Sequence, residues 1–249
     1  MPVKKKTKAP GQGMTAKQMK RRKPISQDYM LPIEPLTDNQ KVMFDAWDEG
    51  KMIYAYGVAG TGKTFVALYK ALKEVLDDYS PYEKIYIVRS LVATREIGFL
   101  PGDHEDKSSL YQIPYKNMVQ AMFEMPDDNS YEMLYDNLKS QETISFWSTS
   151  FIRGTTLDNS IVIIDECQNL NFHELESIIT RVGQASKIIF CGDAAQTDLQ
   201  KISERTGIID FQRILQNMDE FSMIEFGIDD IVRSGLVKSY LINKINLGL

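Results

Sequence analysis

Cysteine, histidine and long apolar runs are all scarce in this sequence. Its 249 residues include only two cysteines, Cys167 and Cys191, which form no CxxC pair, and only two histidines, His104 and His173. A disulfide framework and a His-rich zinc site are therefore excluded. No run reaches the roughly 18 apolar residues of a membrane helix, and the basic N-terminus lacks the apolar stretch of a signal peptide. We expect a cytoplasmic protein with free thiols and no membrane partner.

Charge is distributed unevenly along the chain. The net charge of −5 arises from 29 Lys and Arg against 34 Asp and Glu, yet residues 1–25 contain nine basic residues and no acidic one. Such a block repels itself and cannot bury a core, so we predict a disordered basic tail over residues 1–30. Two interpretations stay open: an arm that binds nucleic-acid phosphates, or a solubilising segment that contacts the acidic body. The basic residues are Lys4, Lys5, Lys6, Lys8, Lys17, Lys20, Arg21, Arg22 and Lys23.

A single α/β domain over residues 31–249 accounts for the rest of the chain. Short apolar runs alternate with helical patterns, which indicates a mainly parallel β-sheet flanked by helices. Residues 103–142 are acidic, rich in Tyr and Met and without strand periodicity, so we predict a helical insertion there. Thr37 is expected to cap an earlier helix, in a capping box with Gln40, and Gly50 to end it. The predicted strands are Met52–Tyr56, Ile85–Val88, Ile144–Trp147, Ile161–Ile164, Ile188–Cys191 and, more weakly, Ser222–Phe226.

A phosphate-binding loop follows the first predicted strand. The segment satisfies G-x-x-x-x-G-K-[ST] in full and stands between an apolar run and a helical pattern, the context that this motif requires. Its glycines let successive N–H groups turn toward phosphate oxygens, Lys63 reaches the β- and γ-phosphates, and the Thr64 hydroxyl ligates Mg²⁺. The alternative is a glycine-rich turn before an ordinary helix. The expected nucleotide-binding residues are Gly57, Val58, Ala59, Gly60, Thr61, Gly62, Lys63, Thr64 and Phe65.

Two further strand ends carry polar groups of the kind that a nucleotide site needs. Four β-branched residues precede Asp165 and Glu166; Asp165 would hold the Mg²⁺ shell and Glu166 would polarise the attacking water. Gln196, just past the fifth predicted strand, would sense the γ-phosphate. Ligands of parallel sheets bind beyond the carboxyl ends of the strands, so these groups are expected to meet the loop. Taken alone, each motif is an ordinary turn after a strand.

The order and spacing of these motifs resemble the PhoH-like family of P-loop ATPases, which are related to superfamily 1 helicases. GVAGTGKT, IVIIDECQN and GDAAQTDL carry the resemblance, with LTDNQ before them and GIDDIVRSGLVKSYL after them, so it covers roughly residues 36–242. It implies a RecA-like domain that uses ATP and Mg²⁺, a hexameric ring and single-stranded RNA or DNA as partner. It also implies adenine contact by Gln40. Short versions with a basic tail resemble those that bacteriophages encode. The family name records phosphate starvation, a link that these residues do not reveal.

Three arginines are candidates for contacts with phosphate or nucleic acid. The roughly 225 residues after the tail accommodate one RecA-like domain and not a second one that could complete the site. An arginine finger is therefore expected from a neighbouring subunit, and Arg233 is our candidate. Alternatively, Arg233 pairs on a helix with Asp229 or Asp230. Arg89 and Arg153 are candidates for nucleic-acid contact or for structural ion pairs.

Other side chains allow both a functional and a structural interpretation. Tyr111, Tyr115, Phe123 and Tyr131 are either platforms for stacking bases or packing residues of a helical core. Cys167, next to the acidic pair, is expected to be a buried small residue without reactivity.

Three functions are compatible with the sequence. The chain is a ring-forming ATPase coupled to single-stranded nucleic acid, an ATPase that remodels a protein partner, or a nucleotide-binding regulatory module without turnover. The complete set Lys63, Thr64, Asp165 and Glu166 argues against the last.

Overall fold

Six strands form one parallel sheet at the centre of the molecule. The computed structural model describes residues 25–89, 104–152, 154–193 and 202–247. The strand order is β3-β2-β4-β5-β1-β6, and every neighbouring pair is parallel. All six predicted strands are confirmed, and five of them are longer by one or two residues. The strands are β1 (Met52–Gly57), β2 (Lys84–Arg89), β3 (Ile144–Trp147), β4 (Ser160–Asp165), β5 (Lys187–Gly192) and β6 (Phe221–Phe226).

Helices cover both faces of this sheet, as the alternation of patterns predicts. Short 3₁₀ turns stand at Gln27–Tyr29, Cys167–Asn169 and Ile228–Asp230. Among the described residues, no helix has the length and apolarity that a membrane span needs. The helices are α1 (Asp38–Asp48), α2 (Lys63–Val75), α3 (His104–Gln120), α4 (Asp128–Ser140), α5 (Thr149–Ile152), α6 (Phe172–Ile179), α7 (Ile202–Gln216) and α8 (Gly235–Asn246).

The near-continuous apolar strands are explained by burial on both sides. In β4, Ile161 and Ile163 join the core cluster beneath α1 to α4, whereas Val162 and Ile164 join the cluster beneath α6 and α7. Alternate side chains of a strand point to opposite faces, so each residue is assigned to its layer by position alone. Each fully buried aliphatic side chain contributes roughly 1.5–3 kcal/mol relative to exposure. The two layers hold the sheet rigid beneath its carboxyl edge.

The predicted helical insertion consists of α3 and α4. Three of its aromatic residues, Tyr115, Phe123 and Tyr131, are buried in the cluster on the α2 side of the sheet. Buried rings cannot stack on bases, so the packing interpretation is confirmed for these three, while Tyr111 is partly exposed. Pro114 lies inside α3.

Two details of the N-terminal region differ from the predictions. Thr37 caps α1 by accepting the Gln40 N–H, but the capping box is wrong, because the Gln40 side chain accepts the N–H of Leu36 instead. The tail boundary at residue 30 is too late, because Ile25 is buried in the core cluster and Met30 forms a β-bridge with Phe123. This bridge joins Met30 to the segment that follows α3. Residues 1–24 lie outside the described part of the chain.

Candidate nucleotide site

A cavity of about 750 Å³ opens at the carboxyl edge of the sheet. The loop between β1 and α2 forms its floor, and the ends of β2, β4 and β5 contribute Arg89, Asp165 and Asp193. Parallel strands bring their carboxyl ends to one edge, so residues more than 100 positions apart in the chain converge here. The predicted loop residues Ala59 to Phe65 line this cavity together with Gln40, Glu166 and Arg233.

The loop depends on glycines at positive φ for its course, at Gly57, Gly60 and Gly62. Gly57 has φ +109°, and a Cβ there would stand 2.3 Å from the Phe226 carbonyl oxygen on β6. The same oxygen accepts a hydrogen bond from the Val58 N–H at 2.9 Å. Gly62, at φ +83°, forms the N-cap of α2 without any side-chain cap. The first-turn N–H groups of a helix have no partner within the helix, and phosphate oxygens suit them.

Lys63 lies in the concave side of this loop. Its Nζ donates to the carbonyl oxygens of Gly57 and Val58, at 2.9 and 2.7 Å, and to Thr61 Oγ1 at 3.3 Å. Burial lowers the pKa of Lys63 from its ordinary value, while nearby acidic groups, including Asp193, oppose that shift. The ammonium is therefore held where phosphate oxygens would approach the loop.

Thr64 and Asp165 meet across the cavity as the motifs predict. The Thr64 hydroxyl donates to Asp165 Oδ1 at 2.6 Å. Mg²⁺ prefers oxygen ligands and is commonly held by one or two protein oxygens together with phosphates and water. A hydroxyl and a carboxylate in contact beside an uncapped helix N-terminus fit a Mg²⁺–nucleotide complex.

Tyr115 is a contact of Asp165 that the sequence did not reveal. Its hydroxyl donates to Asp165 Oδ2 at 2.6 Å from α3. Burial, and then the Asp165 carboxylate, raise the pKa of Tyr115 well above its ordinary value, so the phenol remains a donor. The Arg89 side chain lies beside the same hydroxyl and near both Asp165 and Glu166. The Arg89 side chain is thus bound inside the site, which favours its structural interpretation over nucleic-acid contact.

Glu166 is positioned by a second residue that the sequence did not reveal. Its backbone adopts the left-handed region at φ +51°, which is uncommon for a residue with a side chain. Gln168 donates to Glu166 Oε2 at 2.6 Å, and its own Oε1 accepts the Asp193 N–H at 2.9 Å. The buried amide of Gln168 therefore connects the glutamate after β4 to the end of β5.

Gln40 lies at the cavity, but its amide also supports the loop. Nε2 donates to the Thr61 carbonyl at 2.8 Å, and Oε1 accepts the Leu36 N–H at 2.8 Å. Each end of the amide retains one further hydrogen-bonding position, so adenine contact stays a prediction. A residue chosen for base recognition thus has a structural role that the sequence pattern does not indicate.

Arg233 lies beside the loop of its own chain. A Cβ on Gly60 would stand 2.9 Å from Arg233 Cγ and 3.4 Å from Leu241 Cδ1 of α8. Arg233 follows the 3₁₀ turn Ile228–Asp230 and precedes α8, so the alternative interpretation, a helical pairing with Asp229 or Asp230, is wrong. Asp230 instead accepts from Asn39 and from the Gly227 N–H, each at 2.8 Å.

Two candidate residues, Gln196 and Arg153, lie outside the described part of the chain. Cys167 is fully buried, and burial raises the pKa of its thiol to about 12. The prediction of an unreactive cysteine is therefore supported.

Comparison with known proteins identifies relatives over most of the chain. A family model described as PhoH-like protein matches residues 32–243. The chain is 32% identical over 206 residues to a PhoH-like protein of Mycobacterium leprae, covering 82% of this chain and 56% of the relative. It is 33% identical over 202 residues to a PhoH-like protein of Bacillus subtilis, covering 81% and 60%. The chain thus spans little more than half the length of these curated relatives.

Similarity to solved structures is more distant. The large terminase of a thermophilic bacteriophage, in complex with ADP, aligns with a TM-score of 0.47 and 14% identity, over 83% of this chain and 49% of that one. This likeness carries no conclusion about function.

Proposed function

The chain belongs to the PhoH-like protein family, and from that premise we propose that it hydrolyses ATP with Mg²⁺. The observation that carries the proposal is the convergence of Lys63, Thr64, Asp165 and Glu166 on one cavity at the carboxyl edge of the sheet. Family membership alone assigns no reaction to this chain, because its relatives are much longer. The proposal rests on the chemistry of those four side chains.

Each of these side chains has a distinct role in the proposed reaction. Lys63 would exchange its loop carbonyl partners for β- and γ-phosphate oxygens, and the first-turn N–H groups of α2 would bind the same phosphates. Thr64 and Asp165 would hold Mg²⁺, whose charge offsets that of the phosphate oxygens. Glu166 would accept a proton from the attacking water. Gln168 would keep the Glu166 carboxylate oriented toward that water.

Arg233 would stabilise negative charge on the γ-phosphate. An arginine in this role accelerates hydrolysis by about 10³–10⁵ in P-loop enzymes. Because Arg233 packs on Gly60 of its own chain, it would serve the site in cis, and the role does not require a neighbouring subunit.

We propose a ring of identical chains on a different ground. Helix α8, which is described over its whole length, has no buried residue, and Leu236 and Tyr240 on it are 84% and 67% exposed. This helix adjoins the loop through Leu241, so a second copy that covers α8 would contact the nucleotide site. Such a head-to-tail contact generates a ring when its rotation closes.

The proposed partner of the ATPase is single-stranded RNA or DNA. The nine basic residues and no acidic residue within residues 1–25 support it, because such a segment binds phosphate chains by counterion release. The acidic remainder of the chain offers no comparable concentration of positive charge. An ATPase that remodels a protein partner is the competing function.

Phosphate release with and without single-stranded RNA or DNA at low salt separates these functions. We expect polynucleotide to raise turnover severalfold, and deletion of residues 1–24 to abolish that stimulation while basal turnover stays. Turnover that is indifferent to polynucleotide would favour remodelling of a protein. No turnover from a verified oligomer would overturn the proposed hydrolase.

A further inference from the structure

Both oxygens of the Asp165 carboxylate are held by hydroxyl groups. Thr64 of α2 donates to Oδ1 and Tyr115 of α3 donates to Oδ2, each at 2.6 Å. Thr64 belongs to the phosphate loop motif, whereas Tyr115 comes from the helical segment α3–α4. The carboxylate that would hold Mg²⁺ is thus oriented from two independent elements.

Packing alone does not account for a tyrosine at this position. The ring of Tyr115 lies against Phe146, with centroids 5.4 Å apart, inside the apolar cluster beneath the sheet. Phenylalanine would fill the same space, so the hydroxyl is what distinguishes this side chain. Buried phenols usually hydrogen-bond a partner, and here the partner is the carboxylate at the centre of the proposed metal site.

Arg89 adds a second reason to assign Tyr115 to the site. The guanidinium at the end of β2 lies beside the Tyr115 hydroxyl and near the Asp165 and Glu166 carboxylates. In the register of the sheet, Arg89 is the direct partner of Asp165 across β2 and β4. The phenol therefore belongs to a connected polar group, and in such a group the position of each member constrains the others.

We propose that Tyr115 is a positioning residue that orients Asp165 for Mg²⁺–nucleotide, so that the placement of the helical segment α3–α4 sets the metal affinity of the site. This inference rests on the proposed nucleotide function. A shift of α3 that withdraws the hydroxyl would release one oxygen of Asp165.

Tyr115→Phe tests the proposal, and Tyr135→Phe is its matched control. Both tyrosines are buried, 2% and 4% exposed, and both belong to the helical segment, but the Tyr135 hydroxyl has no hydrogen-bond partner among the described residues. Each substitution keeps the ring and removes only the hydroxyl. A loss that Tyr115→Phe alone causes is therefore specific to the Asp165 contact.

The measurement is Mn²⁺ binding to the full chain in the presence of ADP, followed by the electron paramagnetic resonance signal of free Mn²⁺. We expect Tyr115→Phe to weaken Mn²⁺ binding by about tenfold, because residues that orient metal ligands have effects of this size. Tyr135→Phe should match the wild type, and ADP affinity in EDTA should be equal in all three proteins.

A thermal measurement covers the case in which the variants are destabilised. Mn²⁺ added to the ADP complex should raise Tm further in the wild type and in Tyr135→Phe, and much less in Tyr115→Phe, since ligand stabilisation follows affinity. Equal or tighter Mn²⁺ binding by Tyr115→Phe, or an equal loss in both variants, would overturn the positioning role. A wild type that binds no Mn²⁺ with ADP would instead contradict the proposed function.

Discussion

Individual side chains at this site are oriented by specific neighbours, which are distant in sequence only for Asp165. Lys63 is held by loop carbonyls, Asp165 by two hydroxyls, and Glu166 by the amide of Gln168. In each case the neighbour fixes the direction of a group that would contact phosphate, metal or water. Preorganised groups of this kind stabilise a transition state without reorganising during the reaction.

Glu166 is the side chain whose removal should separate binding from turnover. Replacement by glutamine keeps the size and the contact with Gln168, but it removes the base. We expect Glu166→Gln to lower kcat by about 10²–10⁴-fold, the usual contribution of a general base, while ATP binding stays within a fewfold of the wild type. Single-turnover hydrolysis and equilibrium binding of labelled ATP measure the two effects.

Glu176→Gln is the control, because Glu176 is exposed on α6. If Glu166→Gln hydrolysed ATP at the rate of this control, Glu166 would not be the base.

At the residue scale, the sequence predicts the residues that would contact the nucleotide better than the residues that orient them. The loop residues, Asp165 and Glu166 follow from motifs with fixed spacing, and the cavity brings them together. Tyr115 and Gln168 do not, because a tyrosine in a helix and a glutamine in a turn have no distinguishing pattern. Only the contact across 50 residues between Tyr115 and Asp165 reveals the role.

Secondary-structure elements position this site through the close approach of β1 and β6. The Phe226 carbonyl on β6 accepts from Val58 and leaves no room for a side chain on Gly57. The course of the loop is therefore determined by a strand that lies about 170 residues further along the chain.

Gly57→Ala should destabilise the protein more than Gly50→Ala. Both glycines have positive φ, but a Cβ on Gly50 meets nothing within 4 Å, whereas one on Gly57 meets the Phe226 oxygen at 2.3 Å. We expect a loss of about 1–2 kcal/mol for Gly50→Ala from backbone strain. Gly57→Ala should lose about 1–3 kcal/mol more from the clash.

Urea denaturation measures both losses, and nucleotide binding should fall only in Gly57→Ala. Equal losses of unfolding free energy in the two variants would mean that β6 moves aside at no energetic cost and does not determine the course of the loop.

Strands are predicted well where both of their faces are buried. Strands covered on both faces, such as β4 and β5, are continuous apolar runs and were identifiable, and the ends that were missed are mostly polar or glycine residues such as Gly57, Arg89 and Asp165. The predicted capping box does not form because the Gln40 amide instead donates to the Thr61 carbonyl and accepts the Leu36 N–H. Tertiary contacts override a local motif here.

On the scale of the whole molecule, the proposed ring joins the nucleotide sites of neighbouring copies. Helix α8 presents apolar side chains beside the loop, and a subunit covering it would be sensitive to the nucleotide there. Isolated exposed apolar residues need no explanation, but a helix without a buried residue is unusual in a folded domain.

Leu236→Asp should disrupt that ring, with Met133→Asp as the control. Leu236 and Met133 are 84% and 74% exposed on helices, but only Leu236 lies on α8. A charge buried in an interface without a partner is costly. We expect light scattering to give a hexameric mass for the wild type and for Met133→Asp, and a smaller mass for Leu236→Asp. Monomers of all three proteins would refute the ring, and an intact ring of Leu236→Asp would place its interface elsewhere.

Hydrolysis of ATP by this chain is the central claim, and Mg²⁺-dependent phosphate release from the wild type, Lys63→Ala and Lys70→Ala tests it most directly. Both lysines lie on α2 and are 8% exposed, but Lys70 pairs with Asp48 at 2.7 Å, away from the loop. We predict Mg²⁺-dependent turnover in the wild type and in folded Lys70→Ala, and none in Lys63→Ala. Equal turnover by all three proteins, or none by the wild type, would contradict the account.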